Sequence, residues 1–204
     1  MLPFAPSAER NKDAILAGLA PHLAQCRRIL EIGSGTGQHA VHMTQALPHL
    51  VWQCSDLPGA VAGIAERLES EGSARTPPPL ALDVAAPPWS LPMADAPDAF
   101  DAVYTANTLH IMSFAHVGQF FARIGEVLAP GGMCCVYGPM KYGGAFTTES
   151  NAAFDAQLRA GNPESGIRDF EALDELAKDQ GLALVDDIAM PANNRLIVWR
   201  RAAG

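Results

Sequence analysis

The chain has 204 residues, enough for one large domain, and no change in composition along it marks a second. With 49% apolar and 18% charged residues it can bury a substantial core, and its composition is the opposite of a disordered chain's. Its 22 acidic residues against 14 basic ones leave a net charge of −8, which repels phosphate backbones and anionic membrane surfaces and puts nucleic acid outside the expected partners.

The N-terminus carries Glu9, Arg10 and Lys12 instead of an apolar run, so no signal peptide is expected. No stretch reaches the ~18 uncharged apolar residues of a membrane span, and a cytoplasmic location is expected. Ser7 is the expected cap of a first helix. Ile15, Leu16, Leu19 and Leu23 share one face, with a kink expected at Pro21. A strand over 28–32 runs into a glycine cluster, followed by a helix over 38–47 closed by Pro48 and a second strand over 51–55. Pro58 suits the first turn of a helix with Val61, Ile64, Ala65 and Leu68 on one face and Gly72 as its stop. Beyond Thr76-Pro77-Pro78-Pro79, a third strand is expected over 80–82 and a fourth over 102–106.

Ser113 caps a helix with Val117, Phe120, Phe121, Ile124, Val127 and Leu128 at helical spacing. Pro130-Gly131-Gly132 is expected to end it and lead into a fifth strand over 133–137. Cys134 and Cys135 stand side by side in that apolar run. Together with Cys26 and Cys54 they form no CxxC spacing, which fits strand core in a reducing compartment. Strand and helix alternate this far, which implies an α/β fold with a mostly parallel sheet and helices on both faces. The rhythm then breaks. Residues 141–168 form a long excursion, partly helical around Phe154 and Leu158 and ended by Gly161. Asp169 can cap a helix carrying Phe170, Leu173, Leu176 and Ala177 and stopped at Gly181. Strands over 182–188 and 195–200 follow with no helix between them, so the turn at Pro191-Ala192-Asn193-Asn194 makes them an antiparallel hairpin.

The chemistry concentrates at Glu31-Ile32-Gly33-Ser34-Gly35-Thr36-Gly37, on a strand, a tight turn and a helix start. Glycines there let backbone approach a ligand closely. A dinucleotide fingerprint runs GxGxxG and rests a pyrophosphate on the helix N-terminus. Here the glycines run GxGxG, and Gln38 stands where the third dinucleotide glycine belongs. Glu31 puts a carboxylate at the end of the first strand, badly placed beside pyrophosphate and well placed near a cation. Asp56, with Leu57 beside it, ends the second strand, where an acid accepts hydrogen bonds from a ribose diol. Asp83-Val84 ends the third, where an acid can accept from an adenine amino group. Three acids at three strand ends describe a site for an adenosine without phosphates. The rival readings are a helix cap for Asp56 and a turn acid for Asp83.

At this point the sequence resembles a class I methyltransferase over nearly its whole length. Glu31-x-Gly33-x-Gly35-x-Gly37 resembles that family's first motif, Asp56 its ribose acid and Asp83-Val84 its adenine-facing dipeptide. Leu128-Ala129-Pro130-Gly131-Gly132 resembles its turn before strand five, and the closing hairpin resembles its last two strands. Ser7-Ala8-Glu9-Arg10-Asn11-Lys12, the run from Gly33 to Ala40, Tyr137-Gly138-Pro139, Glu149-Ser150-Asn151 and Met190-Pro191-Ala192-Asn193-Asn194 resemble a narrower group, the methyltransferase-like twenty-six family. The resemblance implies a Rossmann-like, seven-stranded domain with S-adenosylmethionine as cofactor and S-adenosylhomocysteine as product. It divides the single domain into an N-terminal helical lid (1–27), a cofactor core (28–140), a substrate-side insertion (141–168) and a last helix with the closing hairpin (169–204).

The expected cofactor residues are Glu31, Gly33, Ser34, Gly35, Gly37, Asp56, Leu57, Asp83, Val84 and Asn107. His110 follows strand four and is the candidate general base, with packing at a helix head as its rival role. Tyr137 is a second catalytic candidate or a core residue. Arg10, Tyr142, Asn151 and Asn193 are the substrate-side candidates, Arg10 by reaching the cofactor carboxylate from the lid. His39 and His42 stand three apart with no third ligand at sensible spacing, so no metal is expected. The expected reaction is methyl transfer to an O, N or S nucleophile of a small molecule by a monomer or homodimer. The rivals are a noncatalytic S-adenosylmethionine-binding regulatory module and an NAD-dependent oxidoreductase.

Overall fold

The computed structural model describes residues 2–86, 89 and 100–203. The first helix, α1 (Pro6–Leu23), leads into β1 (Arg28–Ile32), α2 (Gln38–Ala46), β2 (Val51–Asp56), α3 (Pro58–Glu71) and β3 (Leu80–Ala81). Next come β4 (Phe100–Ala106), α4 (Phe114–Val127), β5 (Leu128–Gly138), β6 (Met140–Tyr142), β7 (Ala145–Phe146) and α5 (Glu149–Gly161). The chain continues through β8 (Arg168–Asp169), α6 (Phe170–Asp179) and β9 (Leu182–Met190), then a short 3-10 turn, Pro191–Asn193, and β10 (Asn194–Arg201).

Seven strands form one sheet in the order β3-β2-β1-β4-β5-β10-β9. The first five run parallel, and β10 lies antiparallel between β5 and β9. Because β1 pairs with both β2 and β4, the strand order reverses there, which opens a crevice at the carboxyl ends of β1 and β4.

Alternation along the strands divides the core in two. Leu30, Val103, Cys134, Ile197 and Trp199 face Phe120, Phe121 and Ile124 of α4 and Leu173 of α6. Ile29, Ala102, Cys135, Leu196 and Val198 face Ile15 and Leu19 of α1, Met43 of α2 and Ile64 of α3. The adjacent Cys134 and Cys135 thus belong to opposite faces, and all four cysteines are free and buried.

Four local expectations change. Pro6 takes the first helical position, so Ala5 is the cap of α1 and Ser7 lies inside its first turn; the helix carries Pro21 within its last turn. Helix α4 stops at Val127, and sheet pairing resumes at Leu128 opposite Phe100, so Pro130-Gly131-Gly132 lies within β5 at a register shift instead of ending the helix. Asp169 precedes α6, but its carboxylate accepts from the Gly144 amide at 2.6 Å and makes no cap hydrogen bond. The excursion after β5 holds, besides α5, a small sheet in the order β7-β6-β8.

Candidate functional site

A cavity of about 610 Å³ opens over the carboxyl ends of β1, β2 and β4. Its floor is the turn between β1 and α2. Gly33, Gly35 and Gly37 adopt φ of 76°, 58° and 73°, the left-handed region where only glycine is free of strain. The loop is pinned from beneath: Gly33 and Ser34 amides donate to Ser55 O at 2.9 and 3.0 Å, and Thr105 Oγ1 donates to Ile32 O at 2.8 Å. A Cβ on Gly33 would stand 2.6 Å from Thr108 Oγ1, whereas one on Gly35 would meet nothing within 4 Å. Backbone at Gly35 therefore lies bare on the cavity wall.

Asp56 reaches this wall, its Oδ2 accepting from the Gly35 amide and its Oδ1 from the Leu57 amide, each at 2.7 Å. A carboxylate offers about four lone-pair sites, so both oxygens keep capacity for a ligand diol. Helix α3 begins after Leu57 with no side-chain cap, so the helix-cap role for Asp56 is not met. Asp83 and Val84 line the next stretch of wall. Asp83 Oδ1 also accepts from the Ala85 amide at 2.9 Å, which makes it a turn acid and a wall residue at once. Asn107 holds φ 56°, and its amide donates to Tyr137 O at 2.8 Å, so a left-handed turn aims it into the cavity straight after β4.

Glu31 is placed differently from expectation. It is 1% exposed and lies outside the cavity wall, accepting from Trp52 Nε1 at 3.0 Å, with His39 Nδ1 at 3.7 Å. Strand alternation turns it beneath the loop, toward the α1–α3 side. His39 takes its place on the wall, with Asn11 Oδ1 at 2.9 Å from Nε2. Close by lies Tyr104, whose buried hydroxyl has no partner among the described residues. Burial, then the Glu31 charge, pushes the Tyr104 phenol up.

The N-terminal segment closes one side of the cavity through Ala5, Ser7 and Ala8. It is strapped down by Gln38, whose Oε1 accepts from the Ala5 amide at 2.7 Å, and by Arg67, which bonds the Pro3 carbonyl. Arg10 does not reach the site. Helical spacing puts Ser7, Ala8 and Asn11 on the inner side of α1 and leaves Arg10 exposed.

His110 is 6% exposed and is not part of the cavity wall. Its Nδ1 and Asn107 Oδ1 both approach Gly138, at 3.6 and 3.9 Å from the position of a Cβ there. The ring meets Phe154 edge-on at 5.4 Å. Burial first, and then the Arg168 charge, lower its pKa to about 4, so it is neutral at pH 7 and a weak base.

The remaining candidates serve the frame. Tyr137 is a core residue whose hydroxyl meets Asn11 and Asn194, and burial raises its pKa. Tyr142 donates to Asp187 Oδ2 at 2.8 Å under the Arg195 guanidinium. Asn151 is buried and donates to Asn193 O at 3.1 Å, while Asn193 donates to Ser150 Oγ at 3.1 Å, so the pair ties α5 to the hairpin turn. None of these four lines the cavity. Sequence reasoning missed much of the wall, including Ser7, Ala8, His39, Ile111, Met112 and His116. The available signal was Ile111-Met112, an apolar pair between strand four and the Ser113 cap.

The fold is shared with known enzymes. Human N-acetylserotonin methyltransferase in complex with SAM superposes with a TM-score of 0.80 at 17% identity, covering 96% of this chain and 53% of that one. The mitomycin 7-O-methyltransferase MmcR gives 0.79 at 20% identity, covering 96% and 54%. The S-adenosylmethionine-dependent methyltransferase SibL gives 0.76 at 22%, covering 96% and 56%. This chain thus has the class I methyltransferase fold and spans just over half the length of these proteins. A family model matches residues 2–201, and the chain belongs to that family, DUF938, described as proteins of unknown function.

Proposed function

We propose that this protein is an S-adenosylmethionine-dependent methyltransferase acting on an O, N or S nucleophile of a small molecule. One observation carries the reading: the glycine loop, Asp56 and Asp83 line a single cavity whose described wall contains no lysine or arginine. Such a wall fits a cationic adenosine derivative and opposes a pyrophosphate, which argues against NAD. The bare backbone at Gly35 gives the ligand room for close approach. Asp56 accepts from the ribose diol, Asp83 and Val84 meet the adenine, and Leu57, Ile111 and Met112 cover its apolar faces. Ser7, Ala8 and His39 receive the amino-acid tail, with Glu31 behind His39. The likeness to the methyltransferase-like twenty-six family accords with this reading and names no acceptor.

When bound, the cofactor supplies an electrophilic methyl group on a sulfonium. The chain's own work is alignment and exclusion of water, which can carry most of such a transfer. Asn107 supplies the polar corner of the wall on the acceptor side, with His110 and Gly138 behind it. His110, neutral at pH 7 and set behind the wall, backs this corner without taking the nucleophile's proton, which is left to solvent. Calorimetry with S-adenosylhomocysteine, followed by a radiolabelled methyl-transfer screen over small-molecule extracts, tests the proposal. Binding with turnover supports it. Absent binding refutes it, and tight binding without turnover on any extract favours a regulatory module.

A further inference from the structure

The segment 109–112 carries His110 behind the cavity and Ile111 and Met112 into its wall. All four of its carbonyl oxygens are held by one short run of the insertion. Leu109 O accepts from Arg168 Nε at 2.9 Å, His110 O from the Gly166 amide at 2.9 Å, and Ile111 O from Ser165 Oγ at 2.8 Å. Met112 O accepts from Arg168 Nη2, which also reaches Glu164 O at 3.0 Å.

Arg168 is 7% exposed, and its hydrogen bonds among the described residues go to carbonyl oxygens. Asp155, the acid nearest in effect, accepts instead from Arg159 Nε at 2.8 Å and the Ile167 amide at 2.7 Å. A buried cation without a hydrogen-bonded carboxylate is costly. What it gains is geometry, because a planar fork can bind several carbonyls of one loop in fixed register.

We propose that Arg168 is a positioning residue, latching the segment 109–112 onto the insertion and thereby setting the wall between cofactor and acceptor. This rests on the methyltransferase reading above. The charge has a second consequence for the neighbouring ring. Arg168 is the charged group acting on His110, whose other neighbours, Phe154 and Gly138, do not titrate. Its charge adds to burial, the larger cause, in keeping that imidazole neutral.

Two substitutions separate the fork from the charge. Arg168→Lys keeps the charge and loses the fork; Arg168→Gln loses both the charge and most of the fork. In the full chain, both should weaken S-adenosylhomocysteine binding by about 10- to 100-fold, the scale of losing charged hydrogen bonds. Both should also speed hydrogen exchange at the Ile111 and Met112 amides. Only Arg168→Gln should raise the His110 titration seen by NMR, with the signal assigned through His110→Gln. Ser165→Ala, which removes the bond to Ile111 O alone, supplies the same exchange readout should an arginine variant fail to fold. Unchanged affinity and exchange in these variants, in a protein that binds S-adenosylhomocysteine, overturns the latch. If the unaltered protein does not bind it, the methyltransferase reading fails, and the exchange measurement still decides the latch.

Discussion

Gly33 and Gly35 share a left-handed backbone and differ in what surrounds them, so alanine at each position separates strain from crowding. Gly33→Ala forces a Cβ into φ 76°, which costs about 1–2 kcal/mol. It also places that atom 2.6 Å from Thr108 Oγ1 and 2.8 Å from Thr108 Cγ2, an overlap worth about 1–3 kcal/mol once the side chain is pushed off its bond to Ala106 O. The sum is about 2–5 kcal/mol. Gly35→Ala carries only the first cost, because its Cβ meets open space. At about 2–4 °C per kcal/mol for a chain of this size, thermal unfolding should fall by about 4–20 °C for Gly33→Ala and about 2–8 °C for Gly35→Ala. Adding Thr108→Ala should restore part of the loss in the first variant and none in the second. S-adenosylhomocysteine affinity should fall most per degree lost in Gly35→Ala, since its methyl group stands on the cavity wall. Equal losses for the two alanines, or no relief from Thr108→Ala, would refute the reasoning.

Further outcomes follow from the same geometry. Asp56→Ala should weaken S-adenosylhomocysteine binding by about 1–3 kcal/mol in calorimetry, because a charged acceptor is lost and the Gly35 amide is freed; unchanged affinity means the ribose lies elsewhere. His39→Ala should weaken S-adenosylhomocysteine about tenfold, the value of one charged or strong hydrogen bond, yet leave methylthioadenosine, which lacks the amino-acid tail, unaffected. Equal loss for both ligands would place His39 outside the tail site. His110 has a folded-state pKa of about 4 against an ordinary 6.5, so the unfolded chain binds its proton more readily. Its contribution to stability is present above pH 6.5 and lost as the pH falls toward 4, to a limit of roughly 3 kcal/mol. Urea unfolding at pH 7 and 4.5 should show a smaller acid loss in His110→Gln than in the unaltered protein, and matching losses would contradict the buried, neutral ring.

What could be read in advance was what local physics decides. The strands at 28–32 and 133–137 are apolar runs beside glycine punctuation, and α4 has a full apolar stripe behind the Ser113 cap, whose hydroxyl does accept from the His116 amide at 3.2 Å. What was misread depends on partners far along the chain. Strands β6, β7 and β8 have two or three residues each, too few to show any period, and exist because they pair with one another. Leu128 to Gly132 joins a strand because Phe100 pairs with it, against the local turn signal. In the site, residues fixed by a turn (Gly33, Gly35, Asp56, Asp83) were legible from spacing, and each lines the cavity. Glu31 was not, because its direction depends on strand alternation beneath the loop. Asn151 and Asn193 read as loop binding groups, since nothing local reveals that α5 and the distant hairpin turn are tied together through an amide.

The position of β10 has a bearing on how the chain is made. It is last in sequence, yet it fills the gap between β5 and β9. During synthesis the backbone of 133–138 must wait, as a bare apolar edge, until residues 194–201 leave the ribosome and slot beside it. A chain cut just before Asn194 would keep every cavity-lining residue described above and still expose a template for aggregation, so loss of solubility in such a fragment would say nothing about the cavity.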